Sequence, residues 1–431
     1  MAVVILAGTF LSISRVHEHI GILSAAKVPL MLFALSIVGV FNERHRIVPR
    51  FWSREWYMKT IGVMLFIAII GIPTAVLSLT AFNFLKGVFL KDLAGTFCLW
   101  AIACHKKWLP WVARTVAGAG WTACLLALMV RNLDNTGRLN GAYMYDANDI
   151  ALVACVTMPI LLWHALDQTQ RFRIMGLVLL AVPLQVLIQS GSRGGMLGLA
   201  TMLVTLLFFV RSPQKATAMK FARVLTVGLL LTSPIWAPAS VKERMTTMFA
   251  EDDYNRTSET GRLQIWRRGA VYALTNPVTG VGINNFSAAE GYNPERQREA
   301  DRLGVGGLAW VTAHNSFVQA WAELGLIGGS AFFYLIFRTL RDALSLASRR
   351  ARQAKNDAIL GSTLALSLVG FGVTGLFLSF AYYHIVYVLL AMIHGYGVSV
   401  REPHGRTVLK RGTGGRRSMM APQGRRSAAR A

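Results

Sequence analysis

Three short segments of the sequence carry polar and charged side chains of the kinds that could do chemistry. The first, residues 189–195, includes Ser192, Arg193, Gly194 and Gly195 between two apolar runs. A helix starting here would present unpaired backbone N–H groups and the positive end of its dipole, and an arginine fork suits phosphate oxygens. The segment therefore predicts an anion site. The competing interpretation is that the glycines allow close helix packing while Arg193 reaches the membrane interface.

The second segment begins at Arg262 and continues into a Pro- and Gly-rich turn over residues 276–286. Arg262, Trp266 and Ala270 recur at helical spacing, which predicts an amphipathic helix lying at a membrane surface before the turn. Arg262 is a second candidate for an anionic substrate, and Trp266 is a candidate substrate contact. The alternative is that both are ordinary interfacial anchors.

The third segment starts at His314 and Asn315 and opens an apolar run. Asn315, Gln319 and Glu323 recur every four residues, so they share one face of a helix. At the helix N-terminus the dipole disfavours the imidazolium form of His314, which favours a neutral ring that accepts a proton. A carboxylate two turns into a membrane helix is costly unless it faces a wet cavity or a cation. The alternative for His314 is a simple cap or surface residue.

The composition indicates the elements that position these segments. Of the 431 residues, 54% are hydrophobic and 15% are charged, and the mean hydropathy is +0.44. These proportions exclude a disordered chain and argue against a soluble domain. We predict an all-α polytopic integral membrane protein with about twelve spans. The predicted spans are residues 2–14, 20–41, 60–79, 82–104, 111–130, 147–166, 172–190, 194–210, 221–240, 315–337, 357–378 and 380–399.

The net charge of +24 predicts an orientation. In a soluble protein such an excess would suggest nucleic acid, but in a membrane protein its placement reports topology. When the spans alternate from a cytoplasmic N-terminus, the cytoplasmic segments carry a large excess of Lys and Arg, whereas the outer segments carry equal numbers of basic and acidic residues. The positive-inside rule therefore predicts a long loop on the outer face, and we expect no nucleic-acid partner.

Four regions follow from this topology. Residues 1–240 form about nine spans, residues 241–313 form the outer loop with short amphipathic helices, and residues 314–400 form about three further spans. Residues 401–431 are predicted to be a disordered, basic cytoplasmic tail attracted to membrane lipids. The four cysteines fall within or at the ends of apolar runs and are predicted to be packing residues.

Taken in order, these motifs resemble the O-antigen ligase and polymerase superfamily. The motifs are Ser-Arg-Gly-Gly at 192–195, Gly-Arg-x-x-x-Trp at 261–266, Asn-Pro-x-x-Gly-x-Gly at 276–282, and His-Asn-Ser-x-x-Gln at 314–319 with the following Glu-Leu-Gly. The resemblance covers roughly residues 145–340. Residues 145–149 and 10–29 are similar to the subgroup of O-glycosylation ligases found with exosortase systems.

The resemblance implies a bacterial inner-membrane glycosyltransferase that uses undecaprenyl-diphosphate-linked glycans at the periplasmic face. The essential outer-face arginines of the superfamily correspond to Arg193 and Arg262, and its loop histidine to His314. We therefore predict these three as catalytic residues. The predicted substrate-binding residues are Ser192, Gly194, Gly195, Asn315, Gln319, Glu323 and Trp266.

The predicted reaction is an inverting transfer of a saccharide to a glycan, lipid or protein acceptor, without metal or cofactor. Two arginines can neutralise the departing lipid diphosphate, and His314 can take the acceptor proton. A divalent ion held by residues 251–253 is the alternative source of charge, although adjacent acidic residues in a loop are more often solvated. A polymerase acting at the same site remains open, as does a transporter or flippase of similar span count.

Overall fold

The described residues of this computed structural model fold into helices joined by short turns. They are residues 1–43, 55–135, 137–141, 145–166, 173–208, 261–302, 310–350 and 357–401, with five isolated positions between 224 and 235. No β-strand occurs in this part of the chain; one isolated bridge joins Leu133 and Leu139. The predicted all-α class is confirmed for these residues.

Most of the predicted apolar runs are helical. A π-helical turn, Leu85–Phe89, and a 3-10 turn, Gly375–Phe377, interrupt or extend the α-helices. The α-helices in chain order are Ala2–Ser14, Val16–His19, Gly21–Ala25, Val28–Asn42, Glu55–Ile70, Ser78–Phe84, Leu90–Ala103, Leu109–Val130, Ala147–Leu166, Arg173–Leu179, Ala181–Gln189, Arg193–Phe208, Arg262–Thr275, Phe286–Gly291, Pro294–Arg302, Ser316–Arg350, Asp357–Thr374 and His384–Arg401.

Four stretches of these helices are long and apolar enough to cross a membrane by length and composition: Leu109–Val130, Ala147–Ala165, Ser316–Ala347 and Ile359–Phe377. Six shorter apolar helices accompany them. A membrane protein is therefore indicated, whereas the count of about twelve spans stays a prediction. Most of the predicted span 221–240 lies outside the described residues.

Several predicted spans begin or end elsewhere in the structure. The run 20–41 breaks at Lys27, which adopts a left-handed φ of 49°, and a new helix begins at Val28 with Pro29 in its first turn. Proline at this position lacks only an N–H that would be unpaired in any case, so it favours a helix start. The run 60–79 breaks after Ile70 around Pro73. The periodicity of apolar residues does not detect such breaks, which depend on single backbone positions.

Helix Ala147–Leu166 lies at the centre of the bundle, with close neighbours on several sides. It packs against the helices Leu109–Val130, Arg193–Phe208 and Asp357–Thr374. Glycines permit these approaches, since a Cβ at Gly120 would overlap the side chain of Thr157. All four cysteines are buried and free, which confirms the prediction that they serve as packing residues.

Candidate active site

His314 lies in a short segment immediately before the helix Ser316–Arg350, and its backbone conformation is unusual. Its φ of 46° falls in the left-handed region that residues with a Cβ seldom adopt. Its backbone N–H donates to the Ser379 Oγ at 2.8 Å, and both ring nitrogens lie about 3.5 Å from the Thr312 hydroxyl. Strained backbone of this kind persists where the surroundings hold it, and it concentrates at functional sites.

Hydrogen bonds join the start of this helix to residues 378–381. The Ser316 hydroxyl donates to the Leu378 carbonyl at 2.7 Å and accepts from the Phe380 N–H at 3.0 Å. The Gln319 Oε1 accepts from the Ala381 N–H at 3.2 Å. Gln319, predicted to bind substrate, therefore orders the neighbouring backbone. This network fixes the segment that follows the Gly375–Phe377 turn.

The side chain of Phe377 contacts two of the predicted catalytic segments. The Arg262 guanidinium carbon lies 5.7 Å from the centroid of the Phe377 ring, within cation–π range. The centroid of the Trp266 ring lies 6.3 Å from that of Phe377. On another side, a Cβ at Gly194 would come within 2.9 Å of the Phe377 Cβ, so the backbone beside Arg193 packs against the same residue. The structure thus brings the first two segments against one phenylalanine, two residues before the Ser379 hydroxyl that accepts from the His314 N–H.

The electrostatic surroundings of His314 favour its neutral form. Burial lowers the pKa of His314, and the positive charge of Arg262 lowers it further, while Asp146 opposes them by raising it. Below its pKa the ring would be a cation unable to accept a proton, so a lowered pKa keeps the ring available as a base at neutral pH. Besides Arg262, His314 therefore has a second charged neighbour, Asp146, to which the sequence motifs assign no role.

Asp146 is held at the start of the central helix. Its Oδ1 accepts hydrogen bonds from the N–H groups of Asn148 at 2.6 Å and Asp149 at 2.8 Å. This is an N-cap, in which a side-chain oxygen satisfies helix N–H groups. The capping pattern is visible in the sequence, but proximity to a histidine more than 160 positions away is not.

Two of the predicted substrate contacts, Ser192 and Asn315, have structural partners within the protein. The Ser192 Oγ accepts from the Gly195 N–H at 3.2 Å. Asn315 is 5% exposed, and its Oδ1 accepts from the N–H groups of the next two helix residues, Phe317 and Val318. Both side chains therefore cap helices. The Gly195 N–H, one of the groups predicted to bind an anion near Arg193, already donates to Ser192.

Trp266 fixes the segment that carries His314. Its indole Nε1 donates to the Ala313 carbonyl at 3.1 Å. The helix Arg262–Thr275, predicted from the spacing of Arg262 and Trp266, is thus joined directly to the residue before the candidate base. Gly195, for its part, packs against Ala151 in the way that the alternative interpretation of the glycines anticipated.

Glu323 anchors the Pro- and Gly-rich turn to the long helix. It is 2% exposed, and its two oxygens accept from the Asn284 N–H at 2.9 Å and the Phe286 N–H at 3.0 Å. The helix is interrupted two residues later at Gly325, where φ is 65°, and the Leu326 N–H donates to the Pro277 carbonyl. The cost of burying this carboxylate is offset by backbone donors rather than by a cation.

A cavity of about 560 Å³ borders this region on the side of the first helix. Phe380 and Tyr383 line it next to the segment bonded to His314, and Arg15 and Tyr145 line it farther away. The Tyr145 hydroxyl donates to the Ile13 carbonyl at 3.1 Å, which ties the start of the central helix to the first one. No motif in the sequence predicts this cavity; the available signal is the pair of charged residues Arg15 and Glu18 between two apolar runs.

The acidic run 251–253, considered as a metal site, lies outside the described residues. Among the residues that the structure does describe, no group of three or more His, Cys, Asp or Glu side chains is arranged to hold a metal ion.

Comparisons with known proteins place the candidate site within one family match. Residues 175–333 match the family model described as O-antigen ligase. An uncharacterised protein of Haemophilus influenzae is 22% identical over 217 residues, which are 48% of this chain and 53% of that protein. The exopolysaccharide production protein ExoQ of Rhizobium meliloti is 35% identical over 69 residues, which are 16% of this chain and 15% of ExoQ.

The chain thus spans about half the length of the first relative and a small part of the second. A solved chain, from work described as "Structural coordination of polymerization and crosslinking by a peptidoglycan synthase complex", aligns at 14% identity with a TM-score of 0.41. The alignment covers 80% of this chain and 98% of that one. A score of this size does not establish a common fold.

The family match contains all three predicted catalytic residues, Arg193, Arg262 and His314. Their order and spacing are those on which the resemblance rests. Residues 175–333 are thus similar to the O-antigen ligase family, in agreement with the superfamily that the motifs of the chain resemble.

Proposed function

We propose that this protein is an inner-membrane glycan ligase that acts at the periplasmic face. It would transfer a saccharide from an undecaprenyl-diphosphate carrier to a lipid or protein acceptor. The observation that carries the proposal is that Arg262 and the backbone beside Arg193 both pack against Phe377, two residues before the Ser379 hydroxyl that accepts from the His314 N–H. Each of these residues comes from a different segment, so their meeting is a property of the fold.

Contacts between segments support the location of the site on one membrane face. The alternating topology puts residues 15–19, 131–149, 191–193 and 241–313 on the outer side. The Arg138 side chain donates to the Ser190 carbonyl at 2.8 Å, which joins segment 131–149 to the residue immediately before segment 191–193. It also donates to the Asn148 Oδ1 at 2.7 Å within its own segment. The bordering cavity, with apolar and polar lining, provides room for part of an amphiphilic substrate.

The two arginines would stabilise the leaving group. Breaking the bond between sugar C1 and the diphosphate oxygen puts the bonding electron pair, and thus growing negative charge, on the lipid diphosphate. A guanidinium presents several N–H donors in a planar fork that matches phosphate oxygens. Arg262 and Arg193 would supply this charge without a metal ion or other cofactor.

His314 would act on the acceptor. The acceptor oxygen forms a new bond to C1 from the side opposite the diphosphate, and its proton passes to the neutral imidazole. Displacement from the opposite side inverts the anomeric centre. The lowered pKa of His314 fits this role, because the ring must be unprotonated when the acceptor binds.

A polymerase that joins repeat units from the same donor is the second candidate function. The observation in its favour is the similarity to ExoQ, whose name describes exopolysaccharide production. Both reactions would use the same three residues, so the candidate site does not separate them. A transporter or flippase, the candidate from another class, would not transfer sugar when purified in detergent.

A deletion strain provides the test of the proposed function. Lipid-linked, lipopolysaccharide-linked and protein-linked glycans are compared in this strain and after complementation with wild type or His314→Ala. A ligase predicts long lipid-linked chains and the loss of one class of attached glycan, restored only by wild type. Chains limited to single repeat units would favour the polymerase, and unchanged glycans in all three classes would refute both.

A further inference from the structure

Tyr292 and Trp310 form a pair of exposed aromatic rings in the loop region that contains the candidate site; we call this pair the aromatic platform. Their centroids are 5.1 Å apart at an interplanar angle of 71°. Tyr292 is 58% exposed and Trp310 is 53% exposed. Large aromatic rings that stay exposed side by side are typical of surfaces that bind a ligand or a partner.

A buried ionic cluster fixes the backbone on both sides of Tyr292. Glu290, fully buried, accepts three hydrogen bonds from Arg268 at 2.6–3.0 Å, one from the Arg296 Nη1 at 3.0 Å, and one from the Tyr272 hydroxyl at 2.7 Å. Asn293 donates to the same hydroxyl at 3.3 Å. Tyr292 thus lies between two residues of this network. A buried ion pair is weak evidence for stability, and fixing a specific geometry is a better-supported use of it.

Gly291 allows the Trp310 indole to lie directly against the backbone. A Cβ at this position would overlap the Trp310 ring system, so only glycine lets the indole lie against the backbone. One side of the ring is therefore supported by the loop while much of its surface remains open. The arrangement resembles a fixed stacking surface more than a loosely tethered side chain.

The platform is close enough to the candidate base to contact the same substrate. His314 lies four positions after Trp310 in the sequence, and an extended chain covers at most about 14 Å over four positions. The intervening backbone is held where the Trp266 indole bonds to the Ala313 carbonyl. A glycan whose reacting end lies at His314 would pass the platform after a short length.

We propose that the aromatic platform stacks against sugar rings of the glycan whose end reacts at His314, a proposal that rests on the proposed function. Sugar rings present apolar C–H faces that suit an aromatic ring, with hydroxyls around the edge. The adjacent helix Pro294–Arg302 has three acidic and three basic residues, which offer partners for hydroxyls. Their charges cancel, so this helix has no net electrostatic attraction to an anionic lipid surface.

The test measures steady-state transfer by the full-length protein in detergent, with its natural lipid-linked glycan as donor. Trp310→Ala and Trp310→Leu should raise the KM for donors carrying several repeat units by about tenfold, with a smaller effect on kcat. Trp310→Tyr should restore most of the lost affinity, because it keeps a flat ring. The matched control is Trp111→Ala, since Trp111 is 52% exposed but lies far along the chain in a predicted span.

Each outcome bears on the proposal. Equal KM values for Trp310→Leu and wild type would show that any apolar side chain suffices and would overturn it. Quenching of the Trp310 emission by vesicles of brominated phosphatidylcholine, measured as the difference between wild type and Trp310→Phe, would make the pair a membrane anchor and also overturn it. If the Trp310 variants transfer saccharide with an unchanged KM, the platform proposal fails while the proposed function stands. If the wild-type protein transfers no saccharide, the proposed function itself is refuted.

Discussion

Glu323 offers a quantitative test of how the loop is joined to the membrane helices. Its carboxylate is buried and accepts from the Asn284 and Phe286 N–H groups at 2.9 and 3.0 Å. Glu323→Ala would leave both N–H groups without this acceptor, and each such loss costs about 1–3 kcal/mol. The variant should therefore lose about 2–6 kcal/mol of stability. Glu323→Gln keeps one acceptor oxygen and should lose about half as much.

Two measurements on the purified protein report this loss of stability. The apparent melting temperature should fall in the order wild type, Glu323→Gln, Glu323→Ala. Hydrogen exchange of peptides covering residues 276–291 should accelerate in the same order, because the turn is released before the rest of the fold. Asp301→Ala is the control, since this exposed carboxylate has a single bond, from the Gln297 side chain, and should change stability by less than about 0.5 kcal/mol.

The result that would refute the reasoning is a Glu323→Ala protein with wild-type melting and wild-type exchange in the turn. A variant that keeps its fold and its exchange pattern but loses glycan transfer would instead assign Glu323 to the substrate, as its position in the sequence first suggested.

Three further predictions concern the candidate active site. Asp146→Asn keeps the helix cap but removes a charge that raises the pKa of His314; the pKa should fall, so the acidic limb of the pH–rate profile should move to lower pH. Gly194→Ala should lower transfer, measured as kcat/KM, because the added methyl would lie 2.9 Å from the Phe377 Cβ and displace one of them. Arg193→Lys should retain more donor use than Arg193→Ala if charge is required; full activity in both would indicate a packing role.

The candidate site shows which features a single sequence can predict. Arg193, Arg262 and His314 were identified because each stands out from an apolar or loop background at a helix start. The packing of Arg262 and of the backbone beside Arg193 against Phe377 is not predictable from the sequence, because Phe377 is one of many phenylalanines in apolar runs and carries no local signal. Asp146 was missed as a neighbour of His314 for the same reason, since proximity arises from helix packing rather than from spacing.

Side-chain roles were harder to predict than side-chain locations. Asn315, Gln319 and Glu323 share a face, as their spacing indicated, but all three bond to backbone groups. Periodicity predicts the face of a helix and not the partner across from it. A polar residue beside a helix start suits a cap as well as a substrate, and only the fold distinguishes the two.

The fold shows the same limit. Helix Ala147–Leu166 has the predicted bounds because its largely apolar run continues to Leu166 and its cap is local. The breaks at Lys27 and Gly325 arise from left-handed backbone at single residues, which apolar periodicity averages over.

Transfer by the purified protein tests the central claim most directly. Wild type and His314→Asn are compared for the initial rate of saccharide transfer from undecaprenyl-diphosphate-linked glycan to acceptor membranes, in detergent. Asparagine tolerates the left-handed backbone at this position but provides no base, so the protein should fold while the rate falls by about 10²–10⁴-fold. A folded His314→Asn protein that transfers saccharide at the wild-type rate would contradict the assignment of His314 as the base.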